Sequence, residues 1–130
     1  MKDGEVITES ETLPGKLRKI NKALENTPFQ VSYRVFNELV IYLAVLLDDE
    51  SNKDKTVEEL ADSALDMITL MKILPRIEGD ADMFNLPVEN VYKNKLECLK
   101  SFFSEDSSSS IKLKEMITRL NNTDFTRFWP

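Results

Sequence analysis

The amino-acid sequence predicts an all-α protein built as a bundle of four to five helices, and three observations carry that prediction. Only three glycines and five prolines occur in 130 residues, against 42% apolar and 31% charged residues. With so much Leu, Lys, Glu and Ala, that balance suits helices better than a turn-rich sheet. Apolar residues recur at three- and four-residue steps through most of the chain, and recognisable helix starts and stops separate these stretches. The length points to one domain.

Residues 1–12 read as a loose polar lead-in. From Leu13 to Leu24 a first helix places Leu17, Ile20 and Leu24 on one face. The following "NTPF" stops it, because Pro28 disfavours helical backbone at Thr27. Ser32 is placed to cap a second helix, Tyr33 to Leu47, whose buried stripe is Val35, Leu39, Tyr42, Leu43 and Leu46. This is the most apolar helix of the chain, which predicts a central position. The acidic run "DDESNKDK" is a surface loop.

A third helix opens at "TVEE", where Thr56 and Glu59 match a capping box, and Leu60, Ala64, Leu65, Ile68 and Met71 mark its inner face. Pro75 ends it near Lys72 to Leu74. Glu78 to Asn90 reads as a connector. Tyr92, Leu96, Leu99 and Phe103 define a fourth helix, completing a bundle over residues 13–103. Residues 104–110, "SEDSSSS", form a serine-rich linker whose last serines cap a fifth helix. Residues 111–130 are that C-terminal helix, with Leu113, Met116, Ile117 and Leu120 inward, and an aromatic tail. Phe125, Phe128 and Trp129 lie within five residues of one another and are expected to dock on the bundle, since a buried aromatic removes about 150–250 Å² from water.

Composition narrows the chemistry. The net charge is −6 and there is no histidine. The acidic balance disfavours non-specific nucleic-acid binding, which rests on clustered Lys and Arg. Without imidazole, and with Cys98 as the single thiol, Cys/His catalysis and zinc sites are excluded. One cysteine suits a reducing cytoplasm. No stretch approaches the roughly 18 apolar residues of a membrane span, and "MKDGEVITES" lacks the apolar core of a signal peptide.

No catalytic constellation is visible, and five charged residues stand out as candidates for another role. Asp66 falls mid-helix near the inner face, where a boundary acid pairs with the next helix or a nearby cation. Arg34 lies in the first turn of the second helix, where the helix dipole mildly disfavours a cation. Its position makes sense if an anion comes there, and also as a surface arginine lying along its apolar stem. Glu38, one turn on, can pair with Arg34 for about 0.3–0.5 kcal/mol. Lys72 and Arg76 flank Pro75, where cations favour a helix C-terminus. No G-x-x-x-x-G-K-[ST] is present, so the chain cannot cradle phosphates alone.

Taken in order, "FQVSYRVFNELVIYL", an acidic loop, "ALDMITLMKILPRIEGD", a serine-rich stretch and "IKLKEMITRLNNTDFTRFW" resemble the C-terminal end of McrB-like proteins. These are the AAA+ GTPase subunits of modification-dependent restriction systems. The resemblance spans about Leu17 to Trp129 and implies an AAA+ C-terminal helical lid with a helical extension, without the α/β nucleotide-binding core. It implies that Arg34 takes the place of sensor 2, an arginine reaching towards a γ-phosphate; a permanently charged, bidentate guanidinium suits that task. Glu38, Asp66, Lys72 and Arg76 match the family pattern without an implied role. Also implied are GTP or ATP with Mg in a parent motor, contact with the AAA+ core or neighbouring ring subunits, and an indirect link to a nuclease subunit. No direct nucleic-acid or membrane contact is implied. The alternative is a free-standing helical module that docks on such a motor. In both cases the chain alone has no catalytic residues, no metal site and no cofactor of its own.

Overall fold

Six α-helices and one pair of short strands make up the described part of the chain, residues 12–86 and 91–130 of a computed structural model. The helices are α1 (Leu13–Ala23), α2 (Tyr33–Asp48), α3 (Val57–Ile68), α4 (Ala81–Phe84), α5 (Lys95–Lys100) and α6 (Ser108–Thr123). Strands β1 (Glu78–Asp80) and β2 (Phe125–Arg127) pair antiparallel, with Gly79 opposite Thr126. The protein is therefore mostly helical, but the all-α expectation needs this correction. The lead-in expected up to residue 12 lies outside the described residues except for Thr12, as does the end of the expected connector, residues 87–90.

Thr12 starts α1 by accepting the Gly15 N–H at 3.1 Å, a side-chain bond that satisfies one of the free donors of a helix start. The helix ends before Pro28 is reached. Asn26 takes a left-handed backbone, φ 66°, a conformation that asparagine tolerates better than most residues. Lys95 is buried and its Nζ donates to the Glu25 carbonyl at 2.6 Å. A cation there meets the negative end of α1 and ties it to α5.

The centre of the molecule is α6, not α2. It packs against α5, β2, α3 and the turn after α3, and Leu113, Met116, Ile117 and Leu120 are buried. By contrast α2 lies chiefly on α3 and buries only Val35 and Leu39. Tyr42, Leu43 and Leu46 are half-buried, so the expected stripe faces inward but at the edge of the core.

The end of α3 departs most from expectation. After Ile68 the helix widens into one π-turn, Thr69–Ile73, in which the Leu74 N–H reaches back to the Thr69 carbonyl. A 3-10 turn, Leu74–Arg76, carries Pro75, whose nitrogen has no hydrogen to donate. The extra residue in the π-turn shifts the inward face by one position. Ile73 and Leu74 become core residues, while Met71, expected inside, is 51% exposed. Lys72 is carried outward by the same rotation.

The C-terminal half also differs. The fourth expected helix is short, with Asn94 as its cap and neither Tyr92 nor Phe103 within it. The serine-rich segment is a linker only in its first part: Ser107 caps α6 by accepting the Ser110 N–H at 3.1 Å. Ser109 and Ser110 are buried inside the helix. Asp124, φ 60°, ends α6 in a left-handed turn. The tail docks through Thr126, which is fully buried and donates to the Met116 carbonyl at 2.7 Å. The aromatics do less than expected, with Trp129 60% exposed, Phe125 also exposed and Phe128 half-buried. The Arg119 guanidinium donates to the carbonyls of Arg127 and Trp129 at 2.7 and 3.0 Å, which folds the tail back on α6.

Candidate functional site at the first turn of α2

The approach to α2 is held rigidly by Asn21 of α1. Its side-chain amide donates to the Val31 carbonyl at 3.3 Å and its side-chain oxygen accepts the Val31 N–H. Ser32 then occupies the N-cap position with extended backbone, as the sequence predicts, but its hydroxyl makes no capping bond. The Val35 N–H turns instead to the Ser32 carbonyl at 3.1 Å. The other five helices each have a side-chain cap, from Thr12, Thr56, Asp80, Asn94 and Ser107. The start of α2 has neither a side-chain cap nor an acidic residue in its first turn.

Arg34 lies in that turn and is exposed. Among the described residues no acid pairs with it, including Glu38 one turn on. Beside it, a groove of about 350 Å³ runs between α1 and α2, lined in part by Leu17, Asn21, Val31, Tyr33 and Phe36. An uncapped helix start with an unpaired guanidinium on a fixed approach is receptive to an anion.

The other charged candidates separate. Glu38 pairs with Lys72 at 3.6 Å, not with Arg34, because the π-turn has swung Lys72 towards α2. With side chains 34% and 46% exposed, such a pair stabilises by about 1 kcal/mol or less. Asp66 is far from this cluster in role: its carboxylate accepts the N–H groups of Ser108 and Ser109 at 3.2 and 2.8 Å. It is the second cap of α6, the boundary-acid role the sequence suggested. Arg76 is exposed at the end of its 3-10 turn with no ion pair among the described residues. The structure therefore brings Glu38 and Lys72 together, sets Arg34 on the same side of α2, and leaves Asp66 and Arg76 apart.

Sequence reasoning missed the outer face of α2. Val40, Ile41, Val45 and Leu47 are exposed, Ile41 by 64% and Val45 by 63%, and Tyr33 and Ala44 lie with them. The signal was present: a helix that is apolar all round is ordinarily buried all round. At its C-terminal end Asp49 is occupied locally. The Ser51 backbone N–H and hydroxyl donate to it at 2.9 and 2.8 Å and hold its carboxyl below the usual range. Asp48, preceding it, is exposed and unpaired among the described residues.

Among the described residues no group of three or more His, Cys, Asp or Glu side chains is arranged to hold a metal, and no helix is long and apolar enough to cross a membrane. What the described residues offer is a helical domain with an anion-receptive helix start and an uncovered apolar helix face. The chain belongs to a protein family described as a domain of unknown function (DUF8727), which it matches over residues 2–125. No curated protein and no solved structure matches it.

Proposed function

We propose that this domain is the C-terminal helical lid and extension of a McrB-like AAA+ nucleoside triphosphatase in a DNA restriction or defence system. It is not catalytic alone. The observation that carries the reading is Arg34, a "YRV" arginine held in the uncapped first turn of α2 without an anionic partner among the described residues. In the sensor 2 role its guanidinium meets the γ-phosphate and reports its presence by two parallel hydrogen bonds.

The donor set of this chain fits one edge of a triphosphate. It does not fit the magnesium ion or the base, since it offers neither a phosphate-binding loop nor a cluster of metal ligands among the described residues. GTP or ATP with Mg is therefore held by the core polypeptide, which with neighbouring ring subunits is the direct partner; a nuclease subunit follows indirectly. A cytoplasmic site of action, without direct nucleic-acid or membrane contact, belongs to the same proposal.

A second reading is favoured by the uncovered face of α2: a free-standing helical module that docks on such a motor as a regulator. Reconstitution with a core carrying Walker motifs tests both. In the lid reading, Arg34→Ala lowers nucleotide hydrolysis by roughly 10²-fold and leaves the isolated fold unchanged. Unchanged hydrolysis removes the sensor assignment, and a docked chain that alters turnover without needing Arg34 supports the module. Nucleotide turnover by the isolated chain overturns the non-catalytic reading.

A further inference from the structure

The outer face of α2 is self-complementary, and the geometry points to a second copy of this chain as its occupant. Two copies would pair through antiparallel α2 helices. Arg34, Ile41 and Asp48 succeed one another at seven-residue steps along α2, nearly two full turns each, so they share one line of the helix surface. All three are exposed. Ile41 is the midpoint of the line, and a two-fold axis through Ile41 places Arg34 of one copy opposite Asp48 of the other, twice. An isologous contact requires this kind of self-matching.

Charge decides the orientation. Within one chain both end charges oppose the helix dipole, a cation in the first turn and an acid in the last. Antiparallel pairing sets Arg34 beside the negative end of the partner helix and Asp48 beside its positive end, so both mismatches are relieved. Parallel pairing would juxtapose like charges. Between the charged ends, Val40, Ile41, Ala44 and Val45 supply apolar contact, and the small Ala44 lets the helices approach closely. Neither Arg34 nor Asp48 has a competing partner among the described residues, and Asp49 is already taken by Ser51.

The 16-residue helix is about 24 Å long and offers less than the roughly 800 Å² per partner of a standard interface. The dimer is accordingly weak, dissociating on dilution through the micromolar range. This pairing does not depend on the nucleotide reading, but the two uses of Arg34 exclude each other: a docked core and a second copy cannot share the face.

Sedimentation equilibrium over a dilution series tests it. The expected result is a mass of twice 15.0 kDa at high concentration, falling to the single-chain mass on dilution. Arg34→Asp and Asp48→Arg are each expected to weaken association about tenfold or more through like-charge contact. The double charge swap restores it, and Ile41→Glu abolishes it. All three substituted positions are exposed, and circular dichroism verifies that each variant folds. A single-chain mass at every concentration overturns the proposal. So does association that survives Ile41→Glu, or a charge swap that restores nothing. These outcomes are independent of nucleotide hydrolysis, so failure here leaves the sensor assignment to its own test.

Discussion

Asp66 and Ser109 are joined twice. The Ser109 N–H donates to the Asp66 carboxylate at 2.8 Å and the Ser109 hydroxyl donates to the Asp66 carbonyl at 2.8 Å. Together with the Ser108 N–H, these bonds fix the start of the central helix α6 to the last turn of α3. A carboxylate at a helix start both fills free N–H donors and opposes the positive end of the dipole. Asp66→Ala is therefore expected to lower stability by about 1–2 kcal/mol, read as a lower urea midpoint with unchanged slope. An unchanged midpoint would mean that water caps α6 equally well.

Thr69 and Thr126 predict opposite outcomes for one substitution. Both are fully buried. The Thr126 hydroxyl donates to the Met116 carbonyl at 2.7 Å, whereas the Thr69 hydroxyl has no partner among the described residues. Leaving a buried hydroxyl unmatched costs about 1–3 kcal/mol, and replacing it by a methyl group of similar shape removes that cost. Thr69→Val is expected to raise stability by about 1 kcal/mol, and Thr126→Val to lower it by about 1 kcal/mol. Matched thermal unfolding of the two variants checks the signs; a loss in both would show that Thr69 finds a partner in solution.

The contrast between these threonines also marks how far the sequence could be read. The cap of α3 was legible because it depends on local chemistry, Thr56 with Glu59. Helix α1 was legible from the spacing of Leu17, Ile20 and Leu24, though Thr12, read as lead-in, proves to be its cap. The π-turn was not, since a single extra residue leaves the apolar pattern up to Ile68 intact and shifts only the residues beyond it. The partner of Glu38 was lost with it, because Lys72 reaches α2 only after that shift. Strands "EGD" and "FTR" are too short for alternation to register, and their pairing joins distant parts of the chain. Arg34 was legible as a charge on the unfavoured end of a helix. The missing cap at Ser32 was not, because it turns on which acceptor the Val35 N–H chooses.

The Cys98 thiol is half-buried, and burial pushes its pKa up from 9.0, because a thiolate loses hydration there. It is therefore expected to react slowly with disulfide reagents at neutral pH, accelerating above the ordinary thiol range or on unfolding in urea. The sign for stability is set by linkage. A folded-state pKa above the unfolded one gives a contribution present in full below the unfolded value, lost as pH rises through the folded value. Cys98→Ser should flatten the alkaline limb of the stability profile. A rapid neutral-pH reaction in the folded protein would show that the thiol is open to solvent.

Gly79 lets β1 lie against α4. A Cβ built there would fall 2.5 Å from Met83 Sδ and 3.2 Å from Met83 Cε, with Phe84 Cε2 at 3.4 Å. The nearest obstacle is the flexible end of a methionine, which can swing aside at a modest cost. Gly79→Ala is thus expected to destabilise by about 1–2 kcal/mol. Because the clash is with one side chain, that loss should shrink when Met83 is already shortened to alanine. A cycle of Gly79→Ala, Met83→Ala and the double variant, read by chemical unfolding, measures this coupling at roughly 0.5–1.5 kcal/mol. Gly79→Val adds branched bulk next to Phe84, whose Cε2 is already 3.4 Å from the Cβ position and which is fully buried, so shortening Met83 should rescue it less than it rescues Gly79→Ala. Equal losses for Gly79→Ala with and without Met83 would place the requirement in the strand backbone instead of the methionine contact.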